Sequence, residues 1–171
     1  STPIKSSAAS DVYKRQYNLW NSEEEMIRIM RETLPYVTLY KSSEEEACLL
    51  AGSANWREAA EILAGFGCRI IIITLGEKGS FYYMNGRSGL IPSYKIEAVD
   101  TTGAGDSFFA GLLFGIKKKG GIDRIIPEDF PEILRFANAA GALAATKRGG
   151  TNGSPSLPEI REFLEKQGMI V

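Results

Sequence analysis

The segment DTTGAGDSFFAGLL at residues 100–113 constrains the fold more than any other part of this chain. It follows an alternating stretch, YKIEAV at residues 94–99, whose period of two predicts a strand. It continues into apolar and small residues at 107–116, which are typical of a buried helix. The glycines between them predict a strand-to-helix turn whose uncovered N–H groups attract anions through free donors and the helix dipole.

Asp106 lies in the same turn, and a carboxylate beside an anion site needs a chemical reason. One reason is proton abstraction from a hydroxyl whose oxygen then attacks a phosphoryl group held nearby. The alternative is a tight strand-to-helix turn in which Asp106 is a cap favoured by the helix dipole. Both interpretations stay open on the turn alone.

Composition limits the classes of function. The 171 residues, with 44% hydrophobic and 24% charged, suffice for one globular domain with a core. A net charge of −1 gives no indication of a nucleic-acid partner. Histidine is absent, which excludes Ser-His-Asp and Cys-His catalysis and the usual histidine-containing metal sites.

Cysteine usage and hydropathy indicate the compartment. Cys48 and Cys68 form no CxxC pair, so we expect neither a disulfide framework nor a zinc site, and we expect a cytoplasmic protein. No apolar run reaches the length that spans a bilayer, so no membrane partner is expected. The most strongly apolar run, IIII at residues 70–73, predicts a buried parallel strand.

Residues 1–16 differ from the rest of the chain. They are polar, lack the apolar core of a signal peptide and look like translated adapter sequence, so we expect a non-native or disordered leader. Residues 17–171 alternate predicted strands and helices without an internal repeat, which predicts one compact α/β unit. Within it, Asn85-Gly86 predicts a hairpin turn.

Three further stretches carry candidate chemistry, each with a plain structural alternative. KSSEEE at residues 41–46 begins a helix with the spacing of a capping box. TLGEKG at 74–79 places glycines at the carboxyl end of the buried strand, where ligands bind in open α/β sheets, although a simple β-turn has the same composition. ANAAGALA at 137–144 is a small-residue helix that suits close packing on a neighbouring helix or a ligand.

These stretches, in this order, resemble the ribokinase/PfkB-type carbohydrate kinases, and the variant at residues 41–43 is closest to the fructokinases. The resemblance implies a ribokinase-like three-layer αβα sandwich, of which residues 17–171 are the C-terminal, nucleotide-binding half. The implied reaction is ATP-dependent phosphorylation of a sugar hydroxyl. The alternatives are a kinase for 2-keto-3-deoxygluconate, ribose or a nucleoside, and a non-catalytic nucleotide-binding module.

The resemblance also assigns roles. Asp106 is the implied catalytic base, and the amides of Gly103, Ala104, Gly105 and Asp106 form the anion hole. Glu46 is implied to order the water shell of the nucleotide Mg²⁺. The residues implied to bind the nucleotide are Ser43, Glu46, Thr74, Gly76, Gly79 and Asn138.

The loop TKRGG at residues 146–150 resembles one that holds a monovalent cation, for which K⁺ is the candidate, through backbone carbonyls. The implied residues are Asp100, Thr102, Ala144, Lys147 and Gly149. The family usually continues with Ala-Ile-Pro, and residues 150–153 depart from this pattern.

The implied partners are the sugar, ATP, the N-terminal half of the same domain and a second copy of a full-length parent in a homodimer. Because that half supplies most sugar contacts in the family, the chain alone is expected to be inactive as a sugar kinase.

Overall fold

The computed structural model of the chain describes residues 22–149 and 153–168. The interpretation of residues 1–16 as a leader therefore concerns residues outside the described part. The chain divides into two compact units, which are described separately. The first comprises Ser1–Leu75 and Phe81–Leu90, and the second comprises Gly76–Ser80 and Ile91–Val171.

The first unit contains the sheet. Its first described helix begins after Ser22, whose side chain accepts a hydrogen bond from the Glu25 amide at 3.1 Å. The elements in chain order are α1 (Glu23–Thr33), a 3-10 turn (Leu34–Tyr36), β1 (Leu39–Ser43), α2 (Glu44–Ala51), α3 (Trp56–Gly65), β2 (Ile70–Thr74), β3 (Ser80–Met84) and β4 (Arg87–Ile91).

The four strands form one sheet in the order β1-β2-β3-β4. β1 and β2 are parallel, in a register that places Ser43 opposite Thr74. The connection from β2 to β3 is too short for a parallel crossover, so β3 runs antiparallel to β2. Asn85 and Gly86, with φ of 52° and 75°, join β3 to β4 in the backbone conformation of a type I′ turn. The predicted hairpin is confirmed.

β2 is buried on both faces, as the apolar run predicted. Ile71 and Ile73 belong to a core cluster that lies against α2 and α3. Ile70 and Ile72, whose side chains alternate with these, are equally buried, at 0% exposure. Other members of the cluster are Leu34, Ala47, Leu50, Ala51, Ala59, Ala60, Leu63, Cys68, Leu75 and Phe81.

The two thiols are expected to differ in reactivity. Burial raises the pKa of Cys68 to about 11, although hydrogen bonds to backbone groups oppose the rise. Burial, and then the charge of Glu44, also raise the pKa of Cys48, but Cys48 is only half-buried. Because the thiolate is the nucleophile, iodoacetamide at pH 8 should alkylate Cys48 well before Cys68. Peptide mass spectrometry measures both rates; equal rates in the folded chain would contradict the burial of Cys68, and denaturant should make the rates similar.

The second unit is built on helices α4 (Ala104–Lys118), α5 (Phe130–Ala145) and α6 (Leu157–Lys166). Glycines let α4 approach α5 closely. A Cβ added at Gly111 would lie 3.0 Å from the Ala137 Cα, and one added at Gly115 would lie 2.9 Å from Ile133 Cγ2. The small-residue face predicted for α5 is therefore used for helix packing.

The predicted strand at residues 94–99 is wrong, since these described residues form no strand. Their polar groups bond to α5 instead of a neighbouring strand. The Val99 and Asp100 amides donate to the Ala145 carbonyl at 2.8 and 3.1 Å, and the Tyr94 hydroxyl donates to the Arg135 carbonyl at 3.3 Å. The alternating pattern thus belongs to a segment outside any strand, which is hydrogen-bonded to α5.

Across residues 22–149 and 153–168, the helices are too short or too polar to cross a membrane.

Candidate functional site

The turn before α4 depends on one glycine. Gly103 occupies the N-cap position with φ +80°, in the left-handed region where a residue without Cβ has no steric penalty. Within residues 22–149 and 153–168, no side chain makes a capping hydrogen bond to this helix end. The first turn of α4 therefore offers its backbone donors without the usual competing side-chain oxygen.

Not every amide of the predicted anion hole is available. The Ala104 amide donates to the Thr101 carbonyl at 3.1 Å, inside the turn. Among the described residues, the amides of Gly103, Gly105 and Asp106 have no acceptor. These three N–H groups are the ones that the turn can offer to an anion.

Asp106 is the third residue of α4. Its Oδ1 atom is shielded from solvent and makes no hydrogen bond within the described chain. A buried acceptor without a partner is costly, and such atoms often lie where a ligand or substrate supplies the missing donor. Asp106 makes no capping hydrogen bond, since the N-cap residue is Gly103, but its place in the first turn keeps the alternative of a carboxylate favoured by the helix dipole open.

Asp100 joins this turn to the loop after α5. Its Oδ1 accepts from the Thr102 amide at 2.9 Å and its Oδ2 from the Gly149 amide at 3.2 Å. Hydrogen bonds from the Thr102 backbone and side chain, then from Gly149, hold the pKa of the Asp100 carboxyl below its usual value. The structure thus brings together Asp100, Thr102 and Gly149, three of the residues expected at the cation site.

The other two residues expected there, Ala144 and Lys147, also lie together. The Lys147 amide donates to the Ala144 carbonyl at 3.2 Å. A Cβ built on Gly153 would lie 3.4 Å from the Ala144 carbonyl oxygen and 3.7 Å from that of Lys147. The Lys147 side chain points elsewhere and pairs with Glu159 at 2.6 Å. Most of the departure from the family pattern, residues 150–152, lies outside the described residues.

The two glycines of the loop after β2 differ in their surroundings. Both have positive φ, +58° at Gly76 and +109° at Gly79. A Cβ on Gly76 would meet nothing within 4 Å, whereas one on Gly79 would lie 2.1 Å from the Ile91 carbonyl oxygen. The close approach of Gly79 to Ile91 is therefore sufficient to explain the glycine at position 79. The space beside Gly76, in contrast, leaves room for a ligand.

Asn138 is buried in α5, and its amide group is already used. Nδ2 donates to the carbonyls of Ile91 and Pro92, both at 3.1 Å. Both amide protons therefore hold α5 to the segment after β4. The predicted contact with a nucleotide stays a prediction.

Within the first unit, Ser43, Glu46 and Thr74 lie at the carboxyl ends of β1 and β2. Ser43 and Glu46 form the capping box anticipated from their spacing, with the Ser43 amide donating to Glu46 Oε2 at 2.9 Å and the Glu46 amide donating to Ser43 Oγ at 3.2 Å. The Thr74 hydroxyl donates to the Ser42 carbonyl at 3.2 Å. These bonds explain the residues structurally and leave their predicted roles toward Mg²⁺ and nucleotide as predictions.

Sequence reasoning missed two contacts that support the turn. The Thr101 carbonyl accepts the Ala104 amide, and the Ser107 hydroxyl lies 3.3 Å from that of Ser154. The first was hidden because any residue can supply a backbone carbonyl. The second joins residues 47 positions apart, so no local pattern could have indicated it.

The parallel β1–β2 pair with its glycine loop, and the helix start at Gly103 with a carboxylate in its first turn, define the class as an α/β protein. Residues 5–157 match the family described as pfkB family carbohydrate kinase. The chain belongs to this family. Its fold is accordingly the ribokinase-like α/β fold, present in part.

Two relatives illustrate the likeness. The chain is 37% identical over 151 residues to probable fructokinase-4 from Arabidopsis thaliana, covering 86% of this chain and 45% of that protein. It is 30% identical over 151 residues to aminoimidazole riboside kinase from Salmonella typhimurium, covering 88% of this chain and 46% of that protein. The chain therefore spans about half the length of these relatives.

A solved structure shows the same architecture. A fructokinase double mutant from Vibrio cholerae O395, in a form that binds fructose, ADP and potassium ion, superposes with a TM-score of 0.77 at 26% identity. The match covers 86% of this chain and 47% of the fructokinase.

Proposed function

We propose that this chain carries the nucleotide-binding and phosphoryl-transfer part of a carbohydrate kinase that uses ATP and phosphorylates a sugar hydroxyl. One observation carries the proposal: the buried Oδ1 of Asp106 has no partner within the described chain and lies in a helix turn with free backbone amides. An acceptor without a donor suits a substrate hydroxyl whose proton must be taken up.

The proposed chemistry divides between side chain and backbone. Asp106 accepts the proton from the sugar hydroxyl. The hydroxyl oxygen forms a bond to the γ-phosphorus of ATP while the bond from that phosphorus to the bridging oxygen breaks, so that ADP leaves. The amides of Gly103, Gly105 and Asp106 donate hydrogen bonds to the phosphoryl oxygens, where negative charge is concentrated. Mg²⁺, when bound with the nucleotide, neutralises phosphate charge, and Glu46 is the residue proposed to orient its water shell.

The proposed acceptor is fructose, because the resemblance at residues 41–43 and the similar fructokinases agree on this sugar. A riboside is the second candidate, since an aminoimidazole riboside kinase is also similar. A monovalent cation, K⁺, is proposed for the carbonyls near Asp100 because a similar fructokinase binds potassium ion. Asp100, Thr102 and Gly149 fit such a site, since they are already held against one another.

The proposal predicts that the 171-residue chain binds Mg·ATP, measured by titration calorimetry on a sample whose folding is verified by circular dichroism. Gly105→Val should weaken the binding, because a branched side chain crowds the free amides of the turn. Ala110→Val is the matched control, since it adds a branched residue to the exposed face of the same helix. A folded chain that gives no nucleotide heat, or equal affinities for both variants, would contradict the proposal.

A second measurement separates binding from turnover. Because the relatives extend well beyond the matched region, the chain alone is proposed to bind nucleotide without phosphorylating fructose. An assay of ADP release with Mg·ATP and fructose should give only the background rate. Sugar-dependent release of ADP by the isolated chain would contradict the proposal that the sugar contacts lie in the part of the relatives outside the matched region.

A further inference from the structure

α5 also packs against α4 next to the turn that offers the free amides, and the α5 residue at this contact is Gly141. A Cβ on Gly141 would lie 3.1 Å from the Ala104 carbonyl oxygen and 3.3 Å from the Phe108 Cβ. Both separations are shorter than ordinary van der Waals contacts between such atoms. Any side chain at 141 would therefore push on the first turn of α4.

The first turn cannot absorb this push at Ala104 alone. The Ala104 amide is bonded to the Thr101 carbonyl, and its peptide groups connect Gly103 with Gly105. Phe108, the other neighbour, is 4% exposed and therefore packed on its remaining sides. A shift of a few tenths of an ångström at Ala104 must then be shared by the amides of residues 103–106.

We propose that Gly141 is a positioning residue, which sets the location of the free backbone donors of Gly103, Gly105 and Asp106 through its contact with Ala104. That these donors bind phosphate rests on the proposed function. The contact between Gly141 and Ala104 is independent of that function. Gly141 touches no part of the ligand site in this proposal and acts only through the first turn of α4.

Gly111 supplies a matched control within the same helix pair. A Cβ there would lie 3.0 Å from the Ala137 Cα and 3.2 Å from the Ala140 Cβ, separations close to those at Gly141. Both glycines are inside helices, so replacement by alanine brings the same gain in helix propensity. Gly111 lies two helical turns beyond Ala104, about 10 Å along the axis. A Cβ at Gly111 therefore crowds atoms that are distant from the amides of Gly103, Gly105 and Asp106.

The test compares Gly141→Ala with Gly111→Ala in the full ¹⁵N-labelled chain. Gly141→Ala should shift the NMR amide resonances of Gly103, Gly105 and Asp106, whereas Gly111→Ala should leave these nearly unchanged and shift those near Ala137. Equal or absent shifts at residues 103–106 would overturn the proposal. A Gly141→Ala chain that fails to fold while Gly111→Ala folds would give Gly141 a purely structural role and would also overturn it.

Mg·ATP titration of the same samples tests the consequence for binding. Because hydrogen bonds weaken as the donor leaves its best position, displaced amides should weaken Mg·ATP binding roughly three- to tenfold in Gly141→Ala relative to Gly111→Ala. Shifted resonances with unchanged affinity would overturn the positioning role. An unsubstituted chain without nucleotide heat would refute the proposed function instead, and the amide shifts would still decide whether Gly141 places the turn.

Discussion

Asp106→Asn, in a full-length protein that contains this segment, should lower kcat by roughly 10²–10⁴-fold. A sugar hydroxyl is a poor nucleophile at neutral pH, and the substitution removes the basic oxygen while keeping the size of the side chain. The affinity for Mg·ATP should stay the same or increase slightly, because the proposed phosphate donors are backbone amides and one nearby negative charge is lost. Steady-state kinetics and nucleotide titration measure the two effects.

The structural alternative makes a different prediction for the same variant. A carboxylate that only interacts favourably with the helix dipole contributes about 0.3–1 kcal/mol to the free energy of unfolding. Its loss would therefore reduce stability slightly and leave kcat unchanged. Asp123→Asn, on an exposed loop of the same unit, removes the same charge and serves as the control. An Asp106→Asn protein that is less stable but turns over normally would remove Asp106 from the mechanism.

Gly79→Ala should destabilise the chain far more than Gly76→Ala. At Gly79 the new Cβ would meet the Ile91 carbonyl oxygen at 2.1 Å and the Ser93 nitrogen at 2.7 Å, with φ at +109°. Strained dihedrals and overpacking each cost about 1–3 kcal/mol, so we expect a loss of roughly 2–6 kcal/mol. Gly76→Ala meets no atom within 4 Å and should lose only about 1–2 kcal/mol for its left-handed backbone.

Urea unfolding followed by circular dichroism measures the free energy of unfolding of both variants. Equal losses would contradict the close approach of Gly79 to the segment after β4. The same pair separates two explanations of the glycine loop. If the open side of Gly76 faces the nucleotide, Gly76→Ala should weaken Mg·ATP binding more than its small loss of stability accounts for.

Features that depend on local pattern could be predicted from the sequence. The apolar run of β2, the Asn85-Gly86 turn and the capping box of Ser43 and Glu46 each involve residues close in the chain, and each is present in the structure. The strand at residues 94–99 was predicted wrongly because an alternating pattern of apolar and polar residues does not show to which element the backbone is hydrogen-bonded. Its last amide and that of Asp100 bond to Ala145, at the end of a helix far away in sequence.

The candidate site shows the same division. Glycine at 103 follows from the turn, and the position of Asp106 at the start of a helix follows from the motif. The use of the Ala104 amide by Thr101 and the two backbone amides held by Asp100 could not be predicted, because they depend on how the chain returns to the turn. For the same reason, the sequence suggested one role for Gly76 and Gly79, which the structure places in different surroundings.

The two backbone amides held by Asp100 have a consequence for how the chain can vary. Its carboxylate links the segment before α4 to the loop after α5, while Gly111 and Gly115 hold the two helices against each other. The covalent connection between the helices is thus not what keeps them in place. Since lengthening a loop costs only about 0.6 kcal/mol per doubling, the exposed stretch around Asp123 is where insertions or a change of chain termini disturb the turn before α4 least.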